Sequence, residues 1–301
     1  MIDYSALRVL LAVIQSGSFE KAAAILNVTP SAVSQRVKQL EERSGAALVV
    51  RGNPCTATDK GEQLCRHMEN VGMLEHDLFK GLPSLAASDD LQQRVTLRIA
   101  TNADSLGTWF LEAMSEFSKS SSYLLNLSLD DEDHTVEWLR QGKVIAAVTG
   151  TEKPISGCRC FSVGAIQYQE TASPEFVARY FSNGVTAEAL ADAPSLKFNQ
   201  KDQLQHEWVR QTLERNVNLP THWLPSTQSF VDASIMGMGW GMNPIHLTRD
   251  HLAAGRLVEL IPGKTLNIRL YWHINRLAAD RLTPLTQKVI EVARRTLAQS
   301  K

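Results

Sequence analysis

The chain has 301 residues, 44% of them hydrophobic and 21% charged, which is the composition of a folded globular protein and not of a disordered chain or a disulfide-stapled scaffold. At roughly 150 residues for each domain, this length predicts two domains with sizeable cores. No apolar run approaches the roughly 20 residues of a membrane span, and the first residues do not resemble a secretory signal. We therefore expect a cytoplasmic protein with no membrane partner.

The cysteines give no sign of a metal centre. They lack CxxC spacing and have no histidine pair nearby at ligand spacing; they are Cys55, Cys65, Cys158 and Cys160. We expect free thiols, with neither a metal ion nor another cofactor.

The net charge of −1 averages unlike segments. Residues 1–58 carry six basic and four acidic side chains, a net charge of +2, whereas residues 59–90 carry three basic and seven acidic ones, a net charge of −4. Nucleic-acid-binding domains often have a basic excess. The basic excess of residues 1–58 is therefore compatible with DNA binding, although the whole chain is nearly neutral.

Three short helices are predicted at the start of the chain. Apolar residues at helical spacing predict a first helix that ends at Gly17, and Ser18 is a suitable cap for a second helix over 19–26. After a tight turn, Thr29 and Pro30 begin a third helix. Two helices joined in this way are typical of a DNA-binding helix-turn-helix.

The outward side chains of the third helix suit the major groove. Glutamine pairs with adenine and arginine with guanine, while serine and lysine hold phosphates. The predicted DNA-contacting residues are Ser31, Ser34, Gln35, Arg36 and Lys38, with Arg51 downstream. The alternative is a plain three-helix core whose polar face is only solvated.

A run of apolar, small and capping residues continues from Leu10 to Gly61. It comprises Leu10, Gly17-Ser18-Phe19, Ala22-Ala23, Leu26, Ser31-Ala32-Val33-Ser34, Leu40-Glu41, Gly45, Leu48, Arg51, Thr58 and Gly61. In order and spacing this run resembles the N-terminal signature of LysR-type transcriptional regulators. The resemblance implies a winged helix-turn-helix, a long linker helix that dimerises and a ligand-sensing domain.

The predicted wing departs from that signature. The family usually has phenylalanine one residue after Leu48 and a basic residue in the wing, whereas this chain has Val49-Val50 and then Asn53-Pro54-Cys55-Thr56. Arg51 is left as the basic side chain of the wing. We therefore expect the protein to depend on dimerisation and direct base contacts more than on bulk electrostatics.

A long amphipathic helix is predicted over 60–82, followed by a hinge at 84–93. The apolar stripe of this helix is close to heptad spacing, which is typical of helices that pair with a partner helix; it consists of Leu64, Met68, Val71, Leu74 and Leu78. The alternative is that the stripe packs on its own domain. The resemblance favours the paired form, as a homodimer or homotetramer.

Strand-like and helical patterns alternate after the hinge. Residues 95–99, 125–129 and 144–148 are predicted strands, and helical spacing separates them. This order is βαβαβ, which predicts a parallel sheet with helices on its faces and a ligand beyond the carboxyl ends of the strands. The pattern continues to a closing helix, with crossovers near residues 162 and 267.

Taken with the resemblance, these patterns predict an α/β protein. It has an N-terminal winged helix-turn-helix with a long linker helix, followed by a two-subdomain α/β effector domain that resembles periplasmic binding proteins. The predicted boundaries are 1–58 for the DNA-binding domain, 59–88 for the linker helix and hinge, and 89–301 for the effector domain, in which subdomain I is 89–162 with 268–301 and subdomain II is 163–267.

Polar residues follow several predicted strands of the effector domain. Hydroxyls and free amides at the helix start 105–108 suit a carboxylate, while nearby acidic groups suit an amine or guanidinium. A zwitterion with an extra positive charge satisfies both. The predicted effector-binding residues are Asn102, Asp104, Ser105, Asp131, Glu132, Asp202, Ser226 and Thr227. The alternatives are that the acidic loop 130–133 is only solvated and that Asp104 is only a helix cap.

Three further segments carry a second resemblance. They are Asn102-Ala103-Asp104-Ser105-Leu106 with Thr108-Trp109, residues 176–185, and Leu270-Tyr271-Trp272-His273. They look like the arginine/lysine-responsive branch of the LysR family (the ArgP/LysG type), some of whose members are also described as chromosome replication initiation inhibitors. The resemblance implies lysine or arginine as effector and control of genes for the export or metabolism of basic amino acids.

Enzyme motifs are not evident. The glycines of residues 237–241 follow a helix instead of a strand and lack the order of a nucleotide-binding loop. No nucleophile elbow or Cys/His signature stands out, so we predict no enzymatic activity. Tyr271, Trp272 and His273 are interpreted as core and crevice wall.

The sequence thus predicts a regulator that binds double-stranded promoter DNA at an operator, senses L-lysine or L-arginine, and assembles as a homo-oligomer. RNA polymerase is a further expected partner. The alternative is an architectural or replication-linked DNA-binding protein with a different effector or none.

Overall fold

The first part of the chain folds into three helices, a two-stranded wing and a long fourth helix. The computed structural model describes residues 2–82, 84, 95–129 and 132–299. It divides the chain into two units, Met1–Thr96 with Ser122–Leu124 and Leu97–Ser121 with Leu125–Lys301. The first elements are α1 (Tyr4–Ser16), α2 (Phe19–Ile25), α3 (Pro30–Ser44), β1 (Val49–Val50), β2 (Thr56–Ala57) and α4 (Asp59–Gly81).

Side-chain caps begin these helices. The Ser18 hydroxyl accepts two backbone hydrogen bonds from α2, at 3.2 and 3.4 Å, and the Thr29 hydroxyl accepts one from Ala32, at 3.3 Å. Gly17 has a φ of 69°, in the left-handed region, and ends α1. The two predicted caps and the predicted end of the first helix are therefore confirmed.

The two halves of α4 have different surroundings. Cys65 and Met68, in the first half, are only 2% and 4% exposed and belong to the core formed by α1, α2 and α3. Leu74 and Leu78, in the second half, are 47% and 50% exposed. The apolar stripe therefore packs on its own domain at one end and presents leucines to solvent at the other.

The second unit alternates strands and helices. Its strands are β3 (Thr96–Thr101), β4 (Leu124–Leu129), β5 (Ala146–Thr149), β6 (Cys158–Ala172), β7 (Ser195–Lys197), β8 (Thr221–Trp223), β9 (Gly241–Pro244), β10 (Val258–Glu259) and β11 (Thr265–Asn275). Its helices are α5 (Ala103–Ser105), α6 (Leu111–Ser120), α7 (Glu132–Arg140), α8 (Pro174–Tyr180), α9 (Ala187–Asp192), α10 (Leu204–Leu213), α11 (Thr227–Ile235), α12 (Ile245–Ala253), α13 (Arg276–Ala279) and α14 (Thr283–Thr296), with a π-helical turn, Leu106–Phe110, between α5 and α6. No helix in the described part of the chain combines the length and apolar character that a membrane crossing needs.

Seven strands form one mixed sheet in the order β10-β6-β11-β5-β3-β4, with β9 also paired to β6. β3 and β5 are parallel, as predicted, but β11 runs antiparallel to both β5 and β6. The parallel pairing predicted for the first strands is therefore confirmed for β3 and β5, and the antiparallel strands β6 and β11 extend this sheet. The sequence pattern does not reveal β6, because buried polar residues such as Gln169 and Glu170 interrupt its apolar run.

The long strands β6 and β11 carry the chain between the two predicted subdomains. The predicted boundaries, at residues 162–163 and 267–268, fall inside these two strands. A separate pair of parallel strands, β7 and β8, lies in predicted subdomain II. Because loops follow the carboxyl ends of β3 and β7, both can supply side chains to one crevice.

Tryptophans fill much of the core of the second unit. Trp109, Trp208, Trp240 and Trp272 are all fully buried. The ring centroids of Trp208 and Trp240 lie 5.5 Å apart, and the indole N–H of Trp208 donates to the carbonyl of Lys264 at 3.0 Å. Trp208 thereby packs α10 against Trp240 and the start of β11.

Candidate nucleic-acid interface and ligand crevice

One face of α3 is polar and open to solvent. Ser31, Gln35 and Lys38 are exposed and Ser34 is half-buried. Their spacing places all four along one side of the helix. The opposite side packs into the core through Val33, Val37 and Leu40. The predicted face is thus available to a DNA groove.

The exposed side chains of this face have few partners. Ser31 shares a hydrogen bond of 3.0 Å with the capping hydroxyl of Thr29. Lys38 lies 3.8 Å from Glu42, an exposed pair that contributes little. Gln35 has no hydrogen-bonding partner among the described residues, so its amide is left to contact another molecule.

Arg36 occupies the flank of α3. The helix advances about 100° from one residue to the next, which turns Arg36 away from Gln35 and toward α1. Arg36 lines a pocket of about 320 Å³ together with Tyr4, Ser5, Arg8, Val9, Leu26 and Val28. The structure therefore places it at the edge of the polar face, not at its centre.

Glu41 and Arg51 belong to the wing region. A Glu41 carboxylate oxygen accepts hydrogen bonds from the backbone N–H groups of Leu48 and Val49, at 2.8 and 3.3 Å. The exposed Arg51 guanidinium lies 5.3 Å from the centroid of the Phe19 ring, within cation–π range. Glu41 thereby ties the wing to the end of α3, a role that the sequence pattern alone did not assign.

A crevice of about 770 Å³ opens in the second unit, where loops follow the ends of β3 and β7. Three predicted effector residues line it: Asn102, Asp104 and Asp202. The other lining residues are Ala103, Leu129, Tyr168, Phe198, Asn199, Lys201, Gln203, Leu204, Glu207, Ile268 and Leu270.

Both carboxylate oxygens of Asp104 accept hydrogen bonds from neighbouring hydroxyls. One carboxylate oxygen accepts a hydrogen bond of 2.6 Å from the Tyr168 phenol, and the other accepts one of 2.7 Å from the Thr227 hydroxyl. The helix cap is Asn102, whose side-chain oxygen accepts from the Ser105 N–H at 2.7 Å. The alternative that Asp104 is only a helix cap is therefore wrong.

Burial raises the pKa of Asp104, the hydroxyls of Tyr168 and Thr227 oppose that rise, and the carboxylate of Asp202 adds to it. Asp104 and Asp202 are therefore close enough to interact electrostatically. Two carboxylates thus line one crevice, which suits a cationic group.

Asp202 is held by the backbone around it. Its two oxygens accept hydrogen bonds from the N–H groups of Phe198 and Leu204, at 2.9 and 3.0 Å. Burial lowers the pKa of Lys197, and Asp202 counteracts this effect. The Lys197 ammonium also lies 5.9 Å from the ring centroid of Trp223. A partly compensated carboxylate thus faces the crevice.

The remaining predicted effector residues have other positions. Ser105 is fully buried and Ser226 caps α11 through a hydrogen bond of 3.3 Å to the Ser229 N–H, and neither lines the crevice. Asp131 lies outside the described residues. Glu132 begins α7, and its side chain also lies outside what the structure describes.

The positions of residues on the long strands β6 and β11 could be predicted only in part from the sequence. Tyr271, Trp272 and His273 are buried in β11, as the core interpretation expects, but they do not line the crevice. Tyr168 does line it and bonds Asp104, and the sequence offers no direct signal for this, because β6 itself is not apparent from the pattern.

Two family models match the chain. Residues 4–62 match the bacterial regulatory helix-turn-helix protein model of the lysR family, and residues 91–298 match the LysR substrate binding domain. The regulator ArgP of Pseudomonas aeruginosa is 39% identical over 290 residues, covering 96% of this chain and 95% of that protein. These relatives are transcriptional regulators, not enzymes.

Solved structures show the same likeness. The C-terminal domains of a LysR family protein from Agrobacterium tumefaciens are 60% identical, with a TM-score of 0.68, and cover 69% of this chain and 100% of that chain. Full-length LysG from Corynebacterium glutamicum with bound effector Arg is 32% identical, with a TM-score of 0.68, over 99% of this chain and 100% of that one. The chain therefore belongs to the LysR family of transcriptional regulators, with an N-terminal helix-turn-helix and a C-terminal effector-binding domain.

Proposed function

We propose that this regulator senses L-lysine or L-arginine in the cytoplasm and controls genes for the export or metabolism of basic amino acids. The observation that carries the proposal is the pair of carboxylates, Asp104 and Asp202, in a crevice of about 770 Å³, which has room for an amino acid. The ArgP and LysG relatives, one of them with bound arginine, support the same effector class. The genes for such transport or metabolism are the natural targets of a sensor of that class.

The partners follow from the same reasoning. The exposed end of the α4 stripe, at Leu74 and Leu78, suits a second copy of the chain, so we propose a homodimer or homotetramer on promoter DNA. Two recognition helices related by symmetry would read two half-sites. RNA polymerase is the partner through which a bound regulator would act on transcription.

Effector binding is expected to stabilise the full-length protein. A ligand at about 100 times its dissociation constant adds about 2.7 kcal/mol to the free energy of unfolding. We expect lysine, arginine or both to raise the melting temperature in a thermal-shift measurement, while glutamate leaves it unchanged. If neither basic amino acid shifts the melting temperature, the proposed effector class is wrong and the replication-linked alternative gains weight.

Gln35→Ala is expected to weaken operator binding. Gln35 lies at the centre of the exposed face of α3 and has no partner among the described residues. A bidentate base contact contributes about 1–3 kcal/mol of discrimination, so the loss should be largest for the preferred sequence. Fluorescence anisotropy with an operator that the wild-type protein selects from random DNA would measure it.

Arg36→Ala and Gln15→Ala provide the comparisons. Arg36 lies at the flank of α3, so its loss should weaken binding to all sequences alike and reduce the salt dependence, as expected for a phosphate contact. The exposed Gln15 of α1 should be neutral. A sequence-specific loss in Arg36→Ala with none in Gln35→Ala would reverse the assignment of the two residues.

A further inference from the structure

The short segment Ser122–Leu124 belongs to the first unit of the fold, although it lies between α6 and β4 in the chain. The first residue of β3, Thr96, belongs to the first unit as well. From Leu97 and Leu125 onward the same two strands belong to the second unit. Two strands of the main sheet therefore begin among the residues that pack with α4.

Tyr123 packs against the second half of α4. Its ring centroid lies 4.8 Å from that of His76, and its hydroxyl donates to Asp77 Oδ1 at 3.3 Å. The hydroxyl of Ser122 shares a hydrogen bond of 2.8 Å with Nε2 of His76. Tyr123 is only 7% exposed. These contacts fix the segment before β4 on two consecutive residues of α4.

The residue before β3 lies against the same helix. A β-carbon at Gly72 of α4 would meet Cγ2 of Val95 at 3.9 Å, which is ordinary van der Waals contact. The carbonyl of Val95 accepts a hydrogen bond of 2.9 Å from the N–H of Leu124. Because this bond joins the starts of β3 and β4, the two strands meet α4 together.

The opposite ends of β3 and β4 lie at the ligand crevice. Asn102 follows β3, Leu129 is the last residue of β4, and both line the crevice. Each strand has six residues. At about 3.3 Å for each residue, each strand spans about 20 Å. Rigid elements of this kind carry coupling between distant sites, so a shift at the crevice can reach the contact with α4.

α4 connects this contact with the DNA-binding domain. The helix has 23 residues. At about 1.5 Å for each residue it is about 35 Å long. Cys65 and Met68, in its first half, are buried in the core formed by α1, α2 and α3. A shift of α4 imposed at His76 and Asp77 therefore acts on a helix that is part of the core of the DNA-binding domain.

We propose that Tyr123 and His76 form the contact through which a bound effector acts on α4 and thereby on operator binding. The inference rests on the proposed function of the protein as an amino-acid sensor. Tyr123 is a positioning residue, because it lines neither the crevice nor the exposed face of α3. The ring contact carries the effect, since the hydrogen bond to Asp77 is long for a hydroxyl donor.

The experiment compares the operator affinity of the full-length protein with and without saturating lysine or arginine, by fluorescence anisotropy. Coupling between two ligand sites is typically about 5–150-fold, and the operator must change the amino-acid affinity by the same factor. We expect Tyr123→Ala to bring this factor to within about twofold of 1, while the separate affinities for operator and amino acid stay near those of the wild type. Tyr123→Phe keeps the ring and should retain most of the wild-type factor.

Tyr4→Ala is the matched control, because Tyr4 makes the same kind of contact with α4 from α1. Its ring centroid lies 5.8 Å from that of His67, and its hydroxyl is 3.3 Å from Nε2 of that residue. Its loss should leave the coupling factor unchanged. Since Tyr123 is buried, His76→Ala provides a second variant, which removes the same ring contact from the half-buried α4 side and should have the same effect.

Hydrogen exchange on the wild-type protein tests the contact without any substitution. Lysine or arginine should change the exchange rates of the backbone amides of residues 70–81 in the absence of DNA. Unchanged rates, or the full wild-type factor in both Tyr123→Ala and His76→Ala, overturn the proposed contact and leave a basic-amino-acid sensor intact. A wild-type protein that binds amino acid and operator without coupling overturns it as well. Absence of binding by lysine and arginine overturns the proposed function and this inference together.

Discussion

Gly61→Ala is expected to unfold or distort the DNA-binding domain. A β-carbon at this position would lie 2.0 Å from the carbonyl oxygen of Leu48 and 3.0 Å from its carbonyl carbon. These are backbone atoms, so no side chain can rotate away. Leu48 is itself fully buried, its N–H is bonded to Glu41, and its carbonyl accepts from the Thr58 N–H at 3.0 Å. Neither side of the contact is free to move.

The expected loss lies at or above the upper end of the roughly 1–3 kcal/mol that overpacking costs. Chemical unfolding followed by circular dichroism would measure it, and operator binding should fall in parallel because the wing begins at the same contact. Gly72→Ala is the matched control, since a β-carbon there meets only a side-chain atom of Val95 at 3.9 Å and the same helix gains a better helix former. Equal stability of the two variants would contradict the steric argument.

The stability of the effector domain is expected to fall between weakly acidic and weakly alkaline pH because of Glu170. This residue is fully buried in β6. One carboxyl oxygen accepts from the Ile261 N–H at 3.0 Å, and the other has no partner within the described residues. Burial raises the pKa of Glu170 from its ordinary 4.5 to about 7; Glu259 adds to the rise, while the backbone of Ile261 and the Trp208 side chain oppose it.

The direction of this pH effect follows from the pKa of Glu170 in the unfolded and folded chains. The unfolded chain ionises Glu170 near its ordinary pKa, whereas the folded chain holds the proton to about pH 7. The protonated Glu170 therefore stabilises the folded chain fully below pH 4.5, and this contribution to the free energy of unfolding is lost as the pH rises through 7. At about 1.4 kcal/mol for each pH unit, the loss approaches about 3 kcal/mol.

Glu170→Gln removes this titration and keeps an oxygen that accepts from Ile261. We expect the free energy of unfolding of the wild type to fall by up to about 3 kcal/mol more than that of the variant between pH 5 and pH 8. Urea unfolding at a series of pH values would measure the difference. Glu175→Gln, an exposed carboxyl at the start of α8, should follow the wild type. Parallel curves for the wild type and Glu170→Gln would show that Glu170 does not ionise in this range.

The sequence supports the N-terminal part of the fold in detail, because local chemistry determines it. Ser18 and Thr29 accept backbone hydrogen bonds at the starts of their helices, and Gly17 takes the left-handed conformation that few other residues tolerate. Asn102, Asp104 and Asp202 could also be anticipated, since polar residues after strands of an α/β sheet tend to meet in one crevice.

The site features that the sequence does not predict depend on contacts between residues far apart in the chain. Tyr168 reaches Asp104 from a strand that pairs with β11 about a hundred residues later, and no local period announces that pairing. Ser105 has a suitable hydroxyl, but the packing of α5 turns it into the interior. Arg36 has a suitable guanidinium, yet one residue of helical rotation moves it to the flank. The type of a residue alone does not show in which direction its side chain points.

The positions of the tryptophans allow their fluorescence to report on the effector domain separately from the DNA-binding domain. All six tryptophans lie at or after residue 109, so the DNA-binding domain and α4 contain none. Emission excited at the red edge of the absorption band therefore arises from the effector domain alone. Trp223 is 52% exposed, and its ring lies near Lys197, which responds to Asp202. Quenching of the exposed Trp223 should separate events near Lys197 from those at the buried pair, Trp208 and Trp240, without any attached dye.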